Sequence, residues 1–438
     1  MDNSVYAEVE TPMGMTIAEK VLARASGQKS VQPGQYVDAK IDRLIADEEF
    51  YRMHAEAVQA GVPGGIPRIW DPERFHVVLE HFQPALNQVQ ALRQKKMREL
   101  ARHYGIKYFR DATCGVIHRI AIEDFVLPGE LGVGADSHSC AWGALNCVGT
   151  GMGEHELVFA LTYGKIWFQV PETIKVTLNG RLPAATCSKD IALWLGGKYS
   201  TEFALYRSLE FAGPGASGLS IDERITLASH AVELGGKFGL FDFDQKTQDF
   251  LSSRQEMCHQ LGWMQPVAAD SDAGYCQEVH IDLDELEPQV ARPHTFENVV
   301  PVSKVAGTRV DQAMVGACCN GNPEDLALVA RVLKGRKVHP RTRFLVQPNS
   351  WAVYRRCMAD GTIEQILAAG AQVLAPGCHL CLGIQGTLAE GEVCISSTTR
   401  NHRGRMGSGD ADVYLASPAT VAASAVAGSI QSAREVLQ

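Results

Sequence analysis

Apolar residues recur at helical spacing over residues 15–25 (MTIAEKVLARA), an amphipathic helix expected to end at the Gly27 region. Residues 85–104 carry the same spacing between charges and predict a second helix. Short apolar runs of strand character lie among such helices: 75–79 (FHVVL) before the second helix, 174–178 (IKVTL) after Pro171, and Phe344-Leu345-Val346 near Pro348. Alternation of this kind predicts an α/β fold with largely parallel sheets.

Between residues 270 and 298 the chain becomes acidic and proline-bearing, and the apolar periodicity weakens. A domain boundary is expected there, dividing 1–290 from 291–438. Beyond it a strand at 299–302, a cysteine-bearing turn, a helix over 323–333, the strand at 344–346 and another at 413–416 restart the α/β pattern.

At 438 residues the chain exceeds the roughly 250–300 at which one hydrophobic core stops growing, so two or three domains are expected. A net charge of -9 with no block of lysine or arginine speaks against a nucleic-acid partner. No apolar stretch approaches the roughly 20 residues of a membrane span, and Met1-Asp2-Asn3 has no basic region leading into an apolar core. A cytoplasmic protein is the expectation, with its 12 cysteines reduced.

Three segments carry chemistry. Gly316-Ala317-Cys318-Cys319-Asn320-Gly321-Asn322-Pro323 reads as a strand-to-helix turn of small residues, with Pro323 suited to a first helical position. Pro376-Gly377-Cys378-His379-Leu380-Cys381-Leu382-Gly383 places a C-x-x-C in a second glycine-bracketed turn. Thiolates from the two turns could hold three irons of a cubane and leave a fourth open for Lewis-acid work. A structural zinc on Cys318, Cys319, Cys378 and Cys381 is the alternative.

Residues 396–405 (SSTTRNHRGR) are hydroxyl-rich, with three arginines around a glycine. They are either a solvated loop or bidentate clamps for carboxylates. In the first half, Asp136 and His138 stand two apart on a turn and could form an oriented acid/base pair. His118, Glu80-His81 and Glu233 are further candidates, each also readable as a structural group.

These residues resemble the large subunit of 3-isopropylmalate dehydratase and, more widely, the aconitase and homoaconitase superfamily. The resemblance runs from Met15-Thr16-Ile17-Ala18-Glu19-Lys20 through Gly134-Ala135-Asp136-Ser137-His138 and residues 165–173, 320–326 and 413–428. Its distinctive elements are the separated cysteines with Arg400-Asn401 and Gly404-Arg405. It implies three α/β domains around a central [4Fe-4S] cluster held by Cys318, Cys378 and Cys381, with Asn320 beside it. Arg400 and Arg405 become substrate-carboxylate clamps and Ser137 a substrate contact. Asp136, His138, His118, His81 and Glu233 serve the protonation and orientation of the substrate hydroxyl. The implied reaction dehydrates and rehydrates a substituted malate.

Family members of this length lack aconitase's fourth, swivelling domain. A small partner subunit is therefore expected to supply a catalytic serine and a further arginine. Several positions depart from the family spelling. Ala317-Cys318-Cys319-Asn320 stands for Ser-Cys-Thr-Asn, Asn322 for an arginine, His379-Leu380 for Gly-Pro, Glu80-His81 for Asp-His, and Asp47-Glu48-Glu49-Phe50 for a small polar turn. His402-Arg403 replaces a phenylalanine before the clamp glycine. The changes cluster at the site, so homoaconitate, dimethylmalate-type acids or a specialised malate derivative stand beside 3-isopropylmalate as expected substrates. A cluster-free binding or regulatory module is the rival of another class.

Overall fold

The computed structural model describes residues 14–111, 115–254 and 265–437; Met1-Asp2-Asn3 lies outside them. Among the described residues the strands form four sheets, three of them largely or wholly parallel. The first joins β1 (Arg43–Ala46), β2 (Phe75–Val78), β3 (Tyr108–Arg110), β4 (Leu131–Gly134) and β5 (Val148–Gly151) in the order β3-β2-β1-β4-β5, all parallel. The second joins β6 (Thr173–Asn179), β7 (Ser208–Ala212), β8 (Phe238–Phe241) and β9 (Gln277–Asp282) in the order β8-β7-β6-β9, also parallel.

The third contains β10 (Gln289–Ala291), β11 (Val299–Pro301), β12 (Gln312–Val315), β13 (Arg343–Val346), β14 (Gln372–Val373), β15 (Val393–Ser396) and β16 (Asp412–Ala416). Its order is β11-β10-β16-β15-β12-β13-β14, with antiparallel pairing only at β10. A separate antiparallel ribbon pairs Tyr36–Lys40 with Lys165–Gln169.

Every residue of β1, β2, β8 and β12 is buried. That is why these strands read as continuous apolar runs: a parallel sheet is covered on both faces. The second and third sheets share a core, in which Val176 and Phe211 belong to one apolar cluster with Met314, Leu345 and Leu415. No helix among the described residues is long and apolar enough to cross a membrane.

The helix expected over 323–333 forms as Pro323–Leu333, with Asn322 and Asp325 in a reciprocal cap and proline in its first turn. The two amino-terminal helices form as Ile17–Ser26 and Gln88–His103, capped by Thr16 and Asn87. The acidic stretch 270–298, where the apolar periodicity weakens, holds β9 and β10. In β9 only Val279 and Ile281 are buried, between exposed Glu278, His280 and Asp282. An edge strand with one wet face needs no more apolar signal than that.

This architecture places chemistry at strand ends. β1, β2 and β4 run out into Asp47, Glu80-His81 and Asp136-His138, while β12, β14 and β15 run out into Cys318, Cys378 and Arg400. The carboxyl ends of parallel strands are where open α/β sheets form their clefts.

Candidate functional site

The cysteine turn leaves β12 through Gly316 and Ala317, and Ala317 holds φ at 65°, a conformation that few residues with a side chain adopt. A side chain at Gly316 would meet the Gln347 carbonyl at 2.8 Å. This sharp exit feeds the short helix Ala317–Asn320 and sets the Cys318 thiol against Cys319, in the same neighbourhood as Cys378 and Cys381, whose charges act on it. Cys318 and Cys381 are buried and Cys378 half-buried; all are free thiols.

The Cys319 hydrogen bond, burial, and then the neighbouring thiols push Cys318 well above the ordinary thiol range. Burial likewise pushes Cys378 up to about 12, against the pull of His81. Cys381 goes the other way: burial raises it, but the Arg405 guanidinium and the Thr399 hydroxyl bring it below the ordinary thiol range. Thiols gathered in this way would suit a polynuclear cation, which would neutralise three thiolates at once.

Cys319 behaves differently. Its Sγ donates to the Ser397 carbonyl at 3.2 Å. Burial raises its pKa, but the Cys318 hydrogen bond and the Lys189 ammonium bring it down to about 7. Cys381 has Arg405 for a neighbour: the Arg405 Nε donates to the Cys381 carbonyl at 2.9 Å and Nη2 lies 3.6 Å from Sγ. Arg405 thus braces the cysteine turn, an attachment that the clamp reading did not include. Its Nη1 makes no hydrogen bond among the described residues.

The acid/base pairs differ from their order in sequence. Asp136 holds the His138 ring only loosely, with 3.5 Å between Oδ1 and Nδ1. Its Oδ1 sits 2.7 Å from His118 Nε2 and accepts the His138 backbone N–H at 2.9 Å. The His138 ring is held by Glu233, with 2.8 Å between Nε2 and Oε1. Arg400 completes this unit, donating through Nε to Glu233 at 2.8 Å and through Nη2 to Ser137 Oγ at 2.9 Å.

Burial opposes charge on His138, but hydrogen bonds to Asp136 and Glu233 raise it to about 9. Glu233, despite burial, is lowered to about 2 by His138 and Arg400. Burial drives His118 down in spite of Asp136. One histidine is therefore charged and the other neutral at pH 7, which equips the site with a proton donor and a proton acceptor.

Glu80 is not the main partner of His81, although the two are adjacent. Its Oε2 accepts the Ile117 backbone N–H at 2.7 Å, and its Oε1 has no hydrogen-bond partner among the described residues, lying 3.6 Å from His81 Nε2. The partner is Glu48, a residue singled out in the sequence only as a departure. Its Oε2 lies 3.2 Å from His81 Nδ1, and its Oε1 accepts the backbone N–H groups of Glu80 and His81 at 3.0 and 3.1 Å. Asp47, Glu80, His81 and Asp136 bring donor atoms within 4.8 Å of one another. Burial holds Asp47 up to about 7 in this acidic corner.

The remaining predicted residues fall into place around the turn. Asn320 is buried, donates to Asp325 at 3.0 Å, and keeps Oδ1 without a partner. Asn322 accepts from Arg119 at 3.2 Å and donates to the Cys319 carbonyl at 2.9 Å, so a guanidinium reaches this place from another helix. His379 turns to Gln347, 2.9 Å away. His402 and Arg403 are exposed, and Arg403 donates to the Gly409 carbonyl.

Residues 75–309 and 303–428 match the model of the aconitase family (aconitate hydratase). The 3-isopropylmalate dehydratase large subunit of Moorella thermoacetica is 40% identical over 97% of this chain and 100% of its own length. Large subunit 1 of the same enzyme from Pyrococcus furiosus is 41% identical, and large subunit 2 from Archaeoglobus fulgidus 41%, each over 97% of this chain and 100% of the relative. Among solved structures, aconitase X from Thermococcus kodakaraensis aligns with a TM-score of 0.49 at 11% identity, covering 85% of this chain and 84% of that one, a likeness too slight to argue from. With the family model covering most of the chain and full-length relatives at this identity, the chain belongs to the aconitase family of hydro-lyases.

Proposed function

We propose that the chain is the large subunit of a hydro-lyase that dehydrates and rehydrates a 2- or 3-substituted malate, with Cys318, Cys378 and Cys381 holding a [4Fe-4S] cluster. The observation that carries this reading is the gathering of those three free thiols, two buried and one half-buried, near a charged His138, a neutral His118 and the guanidinium of Arg400. When bound, such a cluster supplies a Lewis acid for a hydroxyl and carboxylate of the substrate.

The chain's own residues supply the rest. Arg400, already oriented by Glu233 and Ser137, offers a planar fork to a substrate carboxylate, and Arg405 offers Nη1. His138, kept charged by Glu233, can hold a proton at Nδ1 for the departing hydroxyl. Asp136 orients His118 through Nε2, and Ser137 adds a hydroxyl contact. The residues that would remove the proton beside the carboxylate come, in this reading, from a small partner subunit bringing a serine and an arginine. The relatives' designation as large subunits supports that partner.

The domains assigned as 1–290 and 291–438 then contribute the acid/base pairs and the cysteines respectively. Co-expression with a small subunit, anaerobic reconstitution and a screen of substituted malates tests the reading. Formation of the unsaturated acid, seen by its ultraviolet absorbance, is the expected result. A reconstituted complex that acts on none of these acids contradicts it.

A further inference from the structure

One buried cation belongs to none of the roles above. Lys189, in the first turn of the helix Ser188–Tyr199, has no solvent exposure at all. Its Nζ lies 2.7 Å from His230 Nε2 and donates to the Thr398 carbonyl at 2.8 Å. His230 Nδ1 is 2.6 Å from the Thr226 carbonyl, which can only accept. The ring nitrogen facing Thr226 therefore carries the hydrogen. Nε2 is then the acceptor of a neutral imidazole, and the proton stays on the more basic amine.

The two segments that grip Lys189 also grip the cysteines. Ser397, next to Thr398, accepts the Cys319 thiol at 3.2 Å, and Thr399, on its other side, places Oγ1 3.6 Å from Cys381 Sγ. The Thr226 hydroxyl donates to the Cys319 carbonyl at 2.5 Å. Lys189 is thus fixed to the same frame as the thiols by both of its polar contacts. Burial works against its charge; the low-lying Cys319 thiol and the Glu233 carboxylate favour it, as would Cys318 once it is a thiolate. A lysine needed only to tie helix to strand would not require a charge: a neutral amide could make both hydrogen bonds without the cost of burying an ion.

We propose that Lys189 is a positioning residue whose buried positive charge offsets that of the thiolates at Cys318 and its neighbours and so sets the reduction potential of the cluster they hold. The inference rests on the cluster reading given above. Adding an electron to a centre beside a fixed cation is easier than adding it without one, so loss of the charge moves the potential down. Arg405, on Cys381, provides a second cation at the other end of the thiol group.

The test compares the wild-type full chain with Lys189→Gln and Lys189→Arg. Each is reconstituted anaerobically with ferrous iron and sulfide, assayed for both, and titrated with dithionite, which donates one electron to the cluster while the spin-resonance signal is followed. Lys189→Gln is expected to fill with iron and to show a reduced-to-oxidised ratio at least tenfold lower at a given solution potential, about 59 mV for one electron. Lys189→Arg is expected to stay within a third of that shift. Equal potentials in wild type and Lys189→Gln overturn the proposal. If Lys189→Gln takes up no cluster, Lys189→Arg decides: a filled cluster supports the requirement for charge, and an empty one reduces Lys189 to packing and refutes it. A wild-type chain that takes up no iron refutes the cluster reading itself and this inference with it.

Discussion

Glu233→Gln removes a charge and leaves the shape of the site intact, so it isolates what the carboxylate does for His138. In the wild type, Glu233 falls from 4.5 to about 2, which corresponds to about 3 kcal/mol in favour of the charged form. His138 rises from 6.5 to about 9, again about 3 kcal/mol, with hydrogen bonds to Asp136 and Glu233 overcoming burial. With an amide at 233, the imidazolium keeps only Asp136, whose ring contact is a distant 3.5 Å. A charge-assisted hydrogen bond of about 1.5–3 kcal/mol is lost, enough to bring His138 down to about 7–8.

The sign of the stability effect follows. Because the folded His138 value is raised, its contribution is fully present below 6.5 and is lost as pH rises through about 9. Because the folded Glu233 value is depressed, its contribution is present above 4.5 and is lost as pH falls toward about 2. The His138 contribution in wild type should therefore be lost between pH 6.5 and 9, and in Glu233→Gln that loss should be smaller and complete at lower pH. Carbon-13 labelling of histidine and NMR titration of the apo protein, with His138→Gln to assign the resonance, measure the ring directly. A His138 ring that still titrates near 9 in Glu233→Gln would refute the reasoning.

Other outcomes are equally specific. Arg400→Lys keeps the charge but loses the fork that spans Glu233 and Ser137, so KM should rise about tenfold or more with a smaller change in kcat, and an unchanged KM would sink the clamp role. Glu48→Gln retains an acceptor for the turn at Glu80 and His81 but weakens the hold on the His81 ring. It should cut kcat by about 10–100-fold with little change in melting temperature; the reverse pattern would make Glu48 a structural residue. Gly377→Ala puts a methyl group 2.5 Å from the His379 ring and 2.9 Å from the Glu80 carbonyl. It should cost about 1–3 kcal/mol in denaturant unfolding and lower iron retention, and wild-type iron content would contradict the proposed cradle.

The parts of the fold that sequence could reveal are those where local pattern and burial agree. Pro323–Leu333 announces itself through its cap, its proline and its acidic first turn, β2 and β13 through the apolar runs of a doubly covered strand, and β6 through alternation of buried apolar residues with half-buried Lys175 and Thr177. β9 escaped notice because an edge strand shows two apolar positions among charges. At the site, residue types were legible and pairings were not. Asp136 and His138 are neighbours in sequence, yet the rings of His118 and His138 are held by carboxylates 18 and 95 residues away. Glu48 acts on a histidine 33 residues distant, and Lys189 bonds to a carbonyl 209 residues away. No local periodicity encodes such contacts; they come from bringing strand ends of separate sheets into one cleft.

The central claim is that Cys318, and not its neighbour Cys319, joins Cys378 and Cys381 in holding the cluster. Iron and sulfide analysis of Cys318→Ser and Cys319→Ser after identical anaerobic reconstitution tests it most directly. The account predicts about four irons and four sulfides per chain in wild type and Cys319→Ser, and a clear loss of both in Cys318→Ser. Full iron and sulfide in Cys318→Ser, or their loss in Cys319→Ser alone, would contradict it.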